Sequence, residues 1–129
     1  MKPRGSKDNR PVNLELTTIS FPITALASIS HRVTGVLLFV SSLFLVWALD
    51  QSLASQESFD ALTALMSSAL VRFLTWAFLA ALSYHALAGI RHLIMDMGVG
   101  EDLKGGAMSA RILFVLAAIA AVIWGIMLW

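Results

Sequence analysis

The segment SISHRVTG, Ser28 to Gly35, places a hydroxyl, an imidazole and a guanidinium within five residues at the start of a long apolar run. On a helix Ser28, His31 and Arg32 are related by i, i+3 and i+4 and share one face, while Ser30 points elsewhere. A second stretch, YHALAGIRHLIMDMG, holds His85, Gly89, His92 and Asp96 at steps of four, three and four, again on one face. Arg32 is a fixed cation and Ser28 a neutral donor one turn away. Such a pair can hydrogen-bond a carbonyl oxygen and stabilise negative charge developing on it during reduction. It suits equally an arginine that snorkels to lipid headgroups and a serine that bonds back to its own helix.

His85 carries the most information. An ionisable group deep in an apolar segment is costly and usually faces a partner, a cavity or a cofactor. Its neighbours Ala77, Ala81, Ala88 and Gly89 are small, which leaves room for a flat macrocycle to approach the helix. The same small residues also suit a helix-packing groove across which His85 hydrogen-bonds. Spacing leaves both readings open. His31 can pair with an acidic group such as a propionate or face the interface. Asp96 can orient Arg32 or His92, or simply solvate a helix end. Arg91 and His92 read as headgroup anchors of a helix terminus, and Arg72 as a snorkelling side chain at the opposite surface.

These residues need elements to position them, and the composition indicates which. Of 129 residues, 58% are hydrophobic and 13% charged, with a mean hydropathy of +0.80. That is the profile of an integral membrane protein rather than a soluble domain. Cysteine is absent, which excludes disulfides, thiolate metal sites and covalently attached c-type haem. The basic N-terminus is not followed at once by an apolar core, so no cleaved signal peptide is expected. A hydrocarbon layer of about 30 Å needs about 20 helical residues. Three segments qualify, about 23–49, 64–92 and 110–129, the first opened by Pro22, which suits a first helical turn. Residues 1–22 form a polar surface segment, and 23–129 a single three-helix membrane domain.

The charges give the direction. Lys2, Arg4, Lys7 and Arg10 precede the first span, and Arg91, Lys104 and Arg111 surround the second connection, GVGEDLKGGAMSAR. The first connection, DQSLASQESFDALT, is acidic. The positive-inside rule puts the N-terminus and the second connection in the cytoplasm and the C-terminus on the opposite, periplasmic side. Trp47, Trp76 and Trp129 fall toward the outer ends of the spans, as an aromatic belt would, with Trp124 about a turn deeper. The first helix leaves the cytoplasmic side and the second returns to it, so both constellations occupy one end. His85 lies about 9 Å deeper than Arg91. A transporter or channel would need a polar stripe through the full thickness, whereas the polar residues here crowd toward one end.

Together, RPVNLELTTISFPITALASISHRVTG and HALAGIRHLIMDMG resemble the cytochrome b556 family of succinate dehydrogenase membrane anchors. The match fixes Arg10 and Pro11, then Ser28, His31 and Arg32, then His85, Gly89, Arg91, His92, Asp96 and Gly98, and extends over essentially the whole chain. The resemblance implies an all-α membrane protein forming half of a heterodimeric, haem-binding helical bundle. A second three-helix anchor subunit completes that bundle. His85 matches the haem b axial ligand, and the chain has no second deep histidine on another helix, so the other ligand falls to the partner. Ser28 and Arg32 match the ubiquinone site, His31 a residue near the haem propionates, and Asp96 and His92 supporting positions. FAD and iron–sulfur clusters belong to a flavoprotein and an iron–sulfur subunit. The implied role is quinone reduction in the tricarboxylic acid cycle and aerobic electron transport, without nucleic acid. With no transit peptide seen, a bacterial inner membrane is expected, a mature or organelle-encoded mitochondrial chain being the alternative. An anchor for a quinol:fumarate reductase, or a purely structural anchor without haem, are the alternatives.

Overall fold

The structure, a computed structural model, describes residues 18–129, so Lys2, Arg4, Lys7, Arg10 and Pro11 lie outside the described residues. Four helices follow in order: α1 Ile23–Ala54, α2 Gln56–Met66, α3 Ala69–Asp96 and α4 Leu103–Leu128. α1, α3 and α4 are each long and apolar enough to cross a membrane. No strand occurs among the described residues.

The acidic first connection is more ordered than its composition suggests. α1 continues through Asp50 to Ala54 before Ser55 turns extended, with φ −163° and ψ 165°. The Ser55 hydroxyl then accepts from the Ser58 backbone N–H at 3.1 Å, and the Ser58 hydroxyl accepts from the Ser55 N–H at 3.0 Å. This reciprocal capping satisfies two donors that a helix start leaves without partners. α2 results, and residues 64–66, expected to open the second span, close it instead. At the other end of α3, Gly98 has φ +86°. Its N–H donates to the Met95 carbonyl at 2.8 Å, and the Val99 N–H donates to the Ile94 carbonyl at 3.3 Å. That pair of bonds is the Schellman stop, which requires the left-handed backbone that glycine adopts without penalty. Only Met97 to Asp102 link α3 to α4, because Asp102 caps the next helix by accepting from the Gly105 N–H at 3.2 Å. Much of the expected loop after Gly98 is therefore helix.

α3 packs against both α4 and α1. The buried apolar residues are Ala27, Tyr84, Ala88, Ala110 and Leu113. Small side chains dominate, as expected where helices meet in lipid: apolar burial gives no net drive there, and close approach plus interhelical hydrogen bonds hold the bundle. The Tyr84 hydroxyl donates to the Ala27 carbonyl of α1 at 2.9 Å. Two indoles join α3 to α4 in opposite senses: the Trp76 N–H donates to the Ala121 carbonyl at 2.8 Å, and the Trp124 N–H to the Ser83 hydroxyl at 3.0 Å. Trp76 thus also ties α3 to α4. α1 is the least buried of the three long helices, with Ala27 its sole buried residue.

Candidate functional site

The three histidines of the chain come together. The His31 ring of α1 lies between two rings of α3, with centroids 4.2 Å from His85 and 5.0 Å from His92 and interplanar angles of 25° and 26°. The antiparallel run of α1 and α3 produces this trio, as the two sequence constellations require if they share one end.

His85 is held by its Nδ1 edge. Nδ1 lies 3.1 Å from the His31 backbone carbonyl oxygen and 3.2 Å from Thr34 Oγ1. A carbonyl accepts and never donates, so the bond puts the proton on Nδ1 and leaves the Nε2 lone pair free. This is the arrangement of a metal-ligating imidazole, whose second nitrogen donates to a carbonyl that orients it. His31 covers one face of the ring by stacking and does not cap the Nε2 edge. His92 is tied within its own helix, its Nδ1 donating to the Ala88 carbonyl at 2.8 Å.

Of the two readings open for the small residues around His85, Ala88 and Gly89 follow the helix-packing one. Ala88 belongs to the core. A Cβ on Gly89 would meet His31 Nε2 at 3.8 Å, so the space above Gly89 holds the His31 ring. The close approach to His85 comes from α1: a Cβ on Gly35 would lie 3.1 Å from His85 Cε1. Sequence reasoning passed over Thr34 and Gly35. The signal was present, because Gly35 continues the Ser28–His31 stripe one turn further into the span.

Ser28 is half-buried and Arg32 exposed on the outward side of α1, at the level of the trio. Asp96 is exposed at the last turn of α3. Arg91 departs from the expected headgroup anchor. It is 8% exposed, with Nε donating to the Ser109 hydroxyl at 2.9 Å and an Nη donating to the Gly106 carbonyl at 3.1 Å. Gly106 is itself buried at the first turn of α4, with Thr24 Cγ2 3.6 Å from where its Cβ would stand, an ordinary contact. Arg91→Leu is expected to lower the thermal midpoint of the purified protein. Each lost bond from a charged donor costs about 1.5–3 kcal/mol. Arg91→Lys should not restore it, because an ammonium lacks the planar fork that reaches both acceptors; a lysine variant as stable as the parent would show that charge alone suffices.

A family model described as the succinate dehydrogenase/fumarate reductase transmembrane subunit matches residues 6–124. The chain is 40% identical over 121 residues to the succinate dehydrogenase cytochrome b556 subunit of Coxiella burnetii, covering 93% of this chain and 97% of the relative. It is 30% identical over 118 residues to the cytochrome b556 subunit of Paracoccus denitrificans, covering 92% and 91%. The human mitochondrial cytochrome b560 subunit is 30% identical over 115 residues, covering 88% of this chain and 68% of that protein.

Proposed function

Because the chain belongs to the succinate dehydrogenase/fumarate reductase transmembrane-subunit family, we propose that it anchors a succinate:quinone oxidoreductase in the membrane, holds one side of a b-type haem and forms part of the quinone site. The observation that carries the haem reading is the free Nε2 of His85, with Nδ1 committed to the His31 carbonyl. The relatives' naming as cytochromes b agrees with it. Haem bound there would supply a one-electron reservoir beside the quinone pathway.

The residues of this chain then divide the work. His85 would ligate the haem iron from this chain, and a second anchor subunit would supply a further ligand. The sparse burial of α1 leaves surface on which such a companion would pack. His31, stacked on His85, stands where its ring could meet a propionate. Ser28 and Arg32 lie one turn apart, about 6 Å along the axis, at the same end of the bundle. Their hydroxyl and guanidinium would donate to one carbonyl oxygen of ubiquinone. As two electrons arrive from the iron–sulfur subunit, negative charge gathers on that oxygen, and a preorganised cation beside it lowers the energy of the charged state. Two protons complete the quinol. Asp96, at the same end, would orient Arg32 or His92, with the protons drawn from cytoplasmic water. The charge pattern supports a cytoplasmic position for this end, where the flavoprotein and iron–sulfur subunits would dock, in a bacterial inner membrane.

The test is purification of the complex through a tag on this chain, with an absorption spectrum and a subunit count on one sample. A reduced b-type spectrum with a flavoprotein, an iron–sulfur protein and a second small membrane subunit is the expected result. A complete, active complex without haem would leave a purely structural anchor.

A further inference from the structure

We infer that α1 tunes the axial ligand: the Thr34 hydroxyl and the side-chain-free surface of Gly35 are positioning elements that set the orientation and basicity of His85. This rests on the reading of His85 as a haem ligand.

Thr34 has one hydroxyl proton and two carbonyls in reach, Ser30 O and His31 O, each at 2.9 Å. Whichever it chooses, a lone pair of Oγ1 remains for His85 Nδ1 at 3.2 Å. The Nδ1 proton is therefore shared between two acceptors, the His31 carbonyl and the Thr34 hydroxyl. Sharing draws the proton from the ring and makes Nε2 a stronger donor to a metal. A stronger donor favours ferric over ferrous iron and lowers the midpoint potential. Gly35 makes this arrangement possible. A Cβ at 3.1 Å from Cε1 would be tighter than ordinary contact, and the imidazole would have to tilt or withdraw by a few tenths of an ångström. No other residue of this chain faces Nδ1 among the described hydrogen bonds, so α1 controls this edge of the ring.

The experiment is a redox titration and low-temperature ferric EPR of the intact complex carrying Thr34→Val, Thr34→Ser or Gly35→Ala, beside His85→Leu. Thr34→Val keeps the branched shape and removes the acceptor. Its haem is expected to stay bound with a raised midpoint potential, seen as a several-fold larger ferrous fraction at a fixed ambient potential. Thr34→Ser should return the parent value. Gly35→Ala should alter the EPR g-values by tilting the ring, with succinate oxidation by a soluble acceptor intact. If Thr34→Val fails to assemble, Gly35→Ala still decides. Parent potential and g-values in all assembled variants, with haem lost from His85→Leu, would overturn the tuning alone. Haem retained in His85→Leu would overturn the ligand reading beneath it.

Discussion

Replacing His85 with leucine is expected to abolish b-type haem absorption in the purified complex while leaving succinate oxidation by a soluble acceptor near the parent rate. Leucine has the volume and helix propensity to stay within α3, and it carries no polar atom to bury. The His31 carbonyl and the Thr34 hydroxyl lose a partner, and each retains another, because Thr34 still bonds the Ser30 carbonyl and the His31 carbonyl still accepts within α1. The structural cost is that of one neutral hydrogen bond, about 1 kcal/mol, too little to undo helices also joined by Tyr84, Trp76 and Trp124. Metal ligation, by contrast, disappears outright with the only imidazole whose Nδ1 is anchored across helices. His92→Leu is the internal control, since its Nδ1 is spent on its own helix. Unchanged haem content in His85→Leu would remove the ligand assignment.

Arg32→Leu is expected to reduce quinone reduction about a hundredfold, the scale seen when one donor to a developing oxyanion is removed, with the soluble-acceptor rate retained. Arg32 is exposed on α1 and makes no cross-helix bond among the described residues, so its loss should not disturb the bundle. Arg32→Lys keeps the charge but not the fork and should fall between the two. Ser28→Ala should lose about tenfold, the equivalent of one neutral hydrogen bond in the transition state. Equal loss of both activities in Arg32→Leu would point to defective assembly rather than to a quinone contact.

Much of this was legible in the sequence because helical periodicity and span length fix coarse geometry. Antiparallel spans of known length brought Ser28, His31 and Arg32 to the level of His85 and His92, and the three rings do meet. What was hidden depended on which neighbour fills a given gap. Ala88 and Gly89 suit either a cradle for a macrocycle or a helix-packing groove in sequence, and packing fills them: one lies in the core and the other beneath the His31 ring. Arg91 read as a surface anchor because its acceptors, the Gly106 carbonyl and Ser109 hydroxyl, lie across a turn whose tightness depends on Gly98. α2 escapes the sequence because its apolar residues, Phe59, Ala61, Leu62 and then Ala64 to Met66, run on toward the expected start of the second span, and its own start rests on two serines bonding each other. Thr34 and Gly35 carry no charge, and their importance shows only once the ring they touch is in place.

The histidine trio is assembled from α1 and α3 alone. A ribosome makes the chain from its N-terminus, so every imidazole exists before α4 has been synthesised. The last helix therefore arrives at a pair whose three imidazoles are already made and fastens to it from behind, through Arg91, Trp76 and Trp124. In the order of synthesis, the residues of the trio and the closure of the bundle by α4 are separate events.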